Sequence, residues 1–314
     1  MKRGIVCGIL PGLAALIRFA PGAAATWMRV IALPALAALN RLTSGFDFPL
    51  LEPLALLAAA VGLVGFSPVR RSPVRRSPVR RSPGRRLLRG TARVSAMALG
   101  MYALLWYPAY WAAPAAAPNP PDTAALGSLC STLVDALNAS PLEFADPLPE
   151  AGDVAGLTHC RVKAARYPEW MRALGVAGLF SPWTGEAVVD ASAPGEYLPF
   201  TCVHELMHLK GVADEGRANL AAYRACLQRG GMFADSARLW ALRYGLSALA
   251  GRDAEAARRL SARMKPALAA LLPDHPPKSA ANPLARVLGI GEACSSYGDL
   301  ATYLAGAAGG EATA

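Results

Sequence analysis

The sequence predicts an α-helical membrane anchor of three spans, followed by a mainly α-helical domain of α+β type with a small sheet. Three observations lead there. Apolar runs recur through the first third of a chain that is 54% hydrophobic and only 17% charged, a composition that points to membrane segments. Beyond residue 122 the apolar positions repeat at three and four residues, the period of a helix packed on one face. One short β-branched run, GEAVVDA at 185–191, is bounded by turn residues and supplies a strand.

Taken in order, residues 1–113 form the membrane region. The first span covers about 4–20 and follows Met-Lys-Arg. It reads as an uncleaved anchor, with a cleaved signal as the alternative. Residues 26–42 carry Arg29, Pro34, Asn40 and Arg41, which suit an interfacial or packed helix better than a lipid-facing one. The second span is 50–66, with Glu52 near its start. The third is 95–113, ending in Trp106, Tyr107, Tyr110 and Trp111, an aromatic belt at a membrane surface.

Between the last two spans lies the SPVRR repeat. Residues 67–94 hold ten arginines and no acid, which equals the whole net charge of +10. The rest of the chain is near neutral, so no basic face for nucleic acid is expected. An arginine-rich loop stays in the cytoplasm. With a crossing at 95–113, the remainder is expected to be extracytoplasmic. The partners expected are the lipid bilayer and a peptide or protein substrate.

Residues 114–122, rich in alanine and proline, read as a linker to a domain at 123–314. Asp122 or Thr123 caps a helix whose apolar positions are Leu126, Leu129, Leu133 and Leu137. Helical patterns follow near 152–166, 168–174, 198–210, 214–229, 234–272 and 296–306. Six cysteines contain no CxxC pair, which argues against a structural zinc ribbon. Buried small hydrophobes are the plain alternative to disulfides.

The chemistry lies in HELMHLKGVADEGRAN, His204 to Asn219. His204 and His208 are four apart, so on a helix both imidazoles reach one Zn²⁺. Glu205 then sits beside the metal as general base for peptide hydrolysis. The strand before this helix stands where zinc proteases align the substrate backbone. Two carboxylates compete as third ligand. Asp214 stands where HExxHxxGxxH proteins place a histidine. Glu215 opens Glu-Gly-Arg-Ala-Asn, which resembles the ExxAD of gluzincin proteases. Glu215 is preferred, with Asn219 orienting a histidine, and the rejected acid is expected to cap the helix.

The stretch GLFSPWTGEAVVDASAPGEYLPFTCVHELMHLKGVADEGRANLAAYRAC resembles the core of a bacterial family known as domain-of-unknown-function family 3810. SGFDFPLLEP, LLWYPAYWAAP and CSSYGDLATYL resemble that family's segments before the second span, after the third, and near its end. The resemblance implies three N-terminal spans and a gluzincin-like, zincin-fold metallopeptidase domain. Two departures stand out. Arg217 replaces a usual acid, and Asp235-Ser236-Ala237-Arg238-Leu239 replaces a Tyr-Ser-Gly-Tyr segment.

Tyr297 is a candidate transition-state stabiliser, with a buried structural tyrosine as the plainer reading. Glu186 reads as a strand-end surface acid, and His159 and His275 as surface histidines. The function expected is a membrane-anchored zinc endopeptidase. The alternative is a catalytically inactive zinc-binding envelope sensor or scaffold.

Overall fold

Helices dominate the computed structural model, which describes residues 20–66, 83–112, 121–272 and 299–310. Among the described residues one helix is long and apolar enough to cross a membrane, α1 at Gly22–Thr43. This corrects the three-span anchor. The segment at 4–20 lies outside the described residues. The second expected span is α2, Leu51–Phe66, of 16 residues. At 1.5 Å per residue it reaches about 24 Å, short of the roughly 30 Å hydrocarbon core. Its Glu52 is no lipid-facing acid, because the carboxylate accepts the backbone N–H groups of Arg166 at 2.9 Å and Tyr167 at 3.2 Å.

The third expected span is no continuous helix. α3 runs Pro83–Leu105, turns through Trp106–Pro108, and restarts as the four-residue α4, Ala109–Ala112. Pro108 has no N–H to continue the ladder. α3 also begins inside the arginine-rich stretch expected to be a loop, since arginine is a good helix former and Pro83 suits a first turn. Residues 67–82 of that stretch, and most of the expected linker, lie outside the described residues. The aromatic belt is corrected as well. Trp106 is 6% exposed and packs on Phe180 at 4.8 Å between ring centroids. The outward placement of the C-terminal domain rested on this third crossing and loses its basis with it.

α1, expected to be interfacial or packed, docks one face on the domain and leaves the other apolar face open. Ala24, Met28, Ala32, Leu36 and Asn40 are buried at intervals of four. A regular α-helix drifts about 40° over each such interval. A π turn at Met28–Ala32 corrects the drift, and it sits just before Pro34, which cannot donate to the helix ladder. Asn40 Nδ2 donates to Gly185 O at 2.7 Å. Gly185 adopts φ +67, and a Cβ there would lie 2.7 Å from Leu36 O, so only glycine permits this approach.

The domain core is a bundle. α5 (Thr123–Ala139) packs along α10 (Gly231–Ala250), with α8 (Leu198–Leu209), α9 (Glu215–Arg229) and α13 (Asp299–Gly310) around them. Asp122 caps α5 by accepting Ala125 N at 2.6 Å. α6 (Ala151–Val154), α7 (Pro168–Leu174), α11 (Ala254–Ala262) and α12 (Pro266–Leu271) complete the helices. The helix suggested near 152–166 is only α6, and the chain then extends into a strand. The sheet has the order β1 (Val162–Ala164), β3 (Glu186–Val189), β2 (Gly178–Ser181), with β1 parallel and β2 antiparallel to β3. β2 is therefore an edge strand. β3 is buried throughout, and the sheet lies against α8.

Glu186 is not a surface acid. It is buried and pairs with Lys163 Nζ at 2.8 Å. It also accepts Leu50 N at 2.9 Å and Leu51 N at 3.0 Å, while Lys163 donates to Thr43 O at 2.7 Å and Phe48 O at 3.1 Å. The pair fastens the α1–α2 connection to the sheet. Lys163→Met is expected to destabilise the chain by about 3–5 kcal/mol, because it strands a buried carboxylate. Replacing both partners by methionine recovers only part of that loss, because Leu50 N, Leu51 N, Thr43 O and Phe48 O lose their partners as well. Denaturation midpoints of the single and double variants check it.

Cys130, Cys160, Cys202 and Cys226 are free and buried, and burial pushes the Cys130 thiol up to about 12. They pack as small hydrophobes.

Candidate metal centre

α8 carries the motif. All twelve of its residues are buried, so its polar side chains are held rigidly between the sheet and the bundle. It ends at Lys210, and Gly211 follows with φ +90. A Cβ at 211 would meet Leu33 Cδ2 at 2.8 Å, so α1 presses on the turn that leaves the motif. His204 and His208 stand one turn apart, with ring centroids 4.7 Å apart and planes at 90°. Their Nε2 atoms are 3.1 Å apart.

Two contacts orient His208. Its Nδ1 lies 2.7 Å from Val212 O, so Nδ1–H donates there and Nε2 is left for a ligand. Trp106 meets the ring edge-on at 6.1 Å and covers that side from water. The turn after α8 brings α9 back across the motif. Asp214 is the N-cap of α9 and accepts Arg217 N at 2.8 Å, the capping role expected of the acid not used as ligand. Glu215 is the first helical residue and points at the histidines. Its Oε2 lies 3.2 Å from His204 Nε2 and 3.5 Å from His208 Nε2.

These distances suit a zinc ion. Ligands about 2.0–2.1 Å from a tetrahedral centre stand roughly 3.3 Å from one another, close to the 3.1, 3.2 and 3.5 Å found here. The buried Glu215 Oε2 approaches both imidazole nitrogens and has no other hydrogen-bond partner among the described residues. Two imidazoles and a carboxylate are the donor set of a catalytic zinc site, which keeps a fourth position open.

The charges follow from this geometry. Burial opposes the charge on His208, but Glu215 outweighs it and pushes the imidazole up to about 9. Burial likewise opposes ionisation of Glu215, but His208 and His204 together outweigh it, so the carboxyl is held well below the usual range. Glu205 goes the other way: burial dominates, and its pKa is raised.

Glu205 lies against the edge strand. A Cβ on Gly178 of β2 would fall 2.7 Å from Glu205 Cγ and 2.8 Å from Cδ, and the Phe180 backbone gives the carboxylate a hydrogen bond. Glycine at 178 thus lets the acid lie flat on β2. Asn219 is buried on α9, one turn after Glu215. Tyr297 lies outside the described residues. His159 is exposed.

One residue escaped the sequence reading. Tyr244 of α10 stacks on Trp240 at 5.5 Å and 21°. Burial raises its phenol, Arg243 lowers it, and Glu215 raises it further. Its signal was the four-residue interval from Trp240.

A family model described as Protein of unknown function (DUF3810) matches residues 29–275. No curated protein and no solved structure matches the chain.

Proposed function

The chain belongs to that family of proteins of unknown function, and on this premise we propose that it is a membrane-anchored, zinc-dependent endopeptidase of gluzincin-like type. The observation that carries the reading is the cluster of His204 Nε2, His208 Nε2 and Glu215 Oε2 at the spacing of zinc ligands, with the Glu205 carboxylate beside it. His204, His208 and Glu215 would hold Zn²⁺. Zinc in that position supplies Lewis acidity toward a carbonyl oxygen and acidifies a water.

The chain's own residues do the rest. Glu205, whose pKa burial raises, takes a proton from the attacking water and passes it to the leaving amine. The edge of β2, which pairs with no further strand among the described residues, pairs with an extended substrate backbone. Phe180 and Trp106 keep solvent from the His208 side. The reading is tested by incubating the full chain with a peptide library: cleavage should require zinc and stop on chelation, and a library left intact by the zinc-loaded chain contradicts it. Gly178→Ala should push Glu205 off its seat and lower kcat about 10²-fold with zinc content unchanged. Steady-state kinetics and metal analysis check this together.

The bilayer is proposed as the second partner. Large exposed apolar side chains gather on α1 to α3, among them Val30 at 61%, Leu42 at 72%, Leu56 at 61% and Met97 at 71%. A surface of that kind calls for lipid or protein cover, and the ten arginines of 67–94 favour an anionic leaflet. Leu42→Glu with Met97→Glu is expected to weaken co-sedimentation with anionic vesicles and leave zinc binding intact.

A further inference from the structure

An aromatic wall runs from the metal cluster to the start of α8. Phe200 packs on His204 at 6.3 Å, Trp240 packs on Phe200 at 6.0 Å, and Tyr197 packs on Trp240 at 5.1 Å. The wall is pinned by hydrogen bonds: Tyr197 OH donates to Leu271 O at 2.8 Å, Trp240 Nε1 to Tyr197 O at 3.2 Å, and Phe200 N to Ser236 Oγ at 3.1 Å. Arg243 lies over it, with Cζ 5.5 Å from the Tyr197 ring centre and 5.4 Å from that of Trp240.

Among the described residues the Arg243 guanidinium forms no ion pair, and its buried Nε has no hydrogen-bond partner. Glu196 is close enough to act on the Tyr197 phenol yet makes no ion pair with Arg243. The side chain is only partly buried, so its planar fork remains reachable. Cation–π contacts hold the flat faces of a guanidinium and leave its in-plane donors for a carboxylate. Trp240 and Phe200 join the arginine to His204 of the metal cluster through consecutive ring contacts.

We infer that Arg243 is a substrate-recognition residue, binding an acidic side chain of a peptide that crosses the partly exposed Trp240 and Arg243 on its way past the metal cluster; this rests on the peptidase reading. Tyr197 stands seven residues before His204, about 10 Å along the helix. An extended peptide covers that in about three residues. The recognised group is therefore the side chain of an internal aspartate or glutamate about three residues from the cut bond. A terminal carboxylate clamp would have to stand one residue away.

Binding and turnover are measured separately. Zinc-loaded Glu205→Gln protein is titrated with capped, amidated peptides carrying one glutamate at successive positions, their glutamine and lysine twins, and a glutamine peptide with a free C-terminus. One glutamate position should tighten binding about tenfold. Arg243→Gln should erase that gain, and Arg243→Glu should transfer it to the lysine twin, an outcome misfolding does not produce. The free C-terminus should gain nothing. Equal binding of glutamate and glutamine peptides at every position, or a glutamate gain that survives Arg243→Gln, overturns the inference. A gain from the free C-terminus alone overturns the internal assignment. Turnover by the wild-type chain is scored apart: charge-dependent binding without cleavage keeps Arg243 as the recognition residue and rejects the peptidase.

Discussion

Glu205→Gln is expected to lower the proposed peptide hydrolysis by about 10²–10⁴-fold, the usual weight of a general base, and to leave zinc content unchanged. The variant keeps size and hydrogen-bonding capacity and removes only the ability to take a proton. Its surroundings favour a clean result. The side chain is buried on β2, beside Gly178 and the Phe180 backbone, and an amide fits the same space. It is not among the three clustered ligand atoms, so metal analysis should not register the change. Burial raises the Glu205 pKa, which moves the acid toward neutrality, where a group that must both accept and return a proton works best. Loss of zinc from this variant would assign Glu205 to the metal instead.

Glu215→Ala is expected to weaken zinc binding by well over 10²-fold. Even the partners that merely orient metal ligands cost 10–100-fold when removed, and this variant removes a proposed ligand itself. Asp214→Ala, one residue away, should keep zinc and lose about 1 kcal/mol of stability, because Asp214 caps α9 through Arg217 N. Competition titrations with a chromophoric chelator, beside thermal melts, separate the two. The reverse ranking would make Asp214 the ligand.

The same titration carries a pH signature. The His208 pKa is about 9 in the metal-free chain, so zinc must displace a proton at neutral pH. Affinity should rise as pH climbs from 7 to 9. The sign for folding is opposite. His208 has a raised pKa, so its contribution to metal-free stability is full below its ordinary value of 6.5 and is lost as pH rises through about 9. Zinc should therefore raise the melting temperature more at pH 8 than at pH 6.

The motif helix was legible because a four-residue interval places two side chains on one helix face whatever the surroundings. Gly211 was legible as a stop for the same local reason. The rivalry of Asp214 and Glu215 was not: both acids precede a helix, and only the cap geometry separates a residue that accepts Arg217 N from one that points inward.

The membrane region misled for a different reason. Hydropathy measures how much a segment avoids water and is blind to whether lipid or protein takes the water's place. Ala24, Met28, Ala32 and Leu36 of α1 meet the domain, while Val30 and Leu42 of the same helix do not. Trp106 likewise looked like a surface anchor until Phe180 and His208, more than 70 residues away, were seen to cover it. Glu186 was misjudged because its partner Lys163 lies on a strand of three residues, too short to show a period. Tyr244 was passed over because its role depends on how α10 crosses α8.

The proposed hydrolysis can be tested atom by atom. The zinc-loaded full chain is incubated with a defined peptide library in ¹⁸O-labelled water, and the products are identified by mass spectrometry. The account predicts new C-termini that each carry ¹⁸O, formed by the wild-type chain and absent with Glu205→Gln. No new termini from the wild-type chain, or the same termini at the same rate from Glu205→Gln, would contradict it.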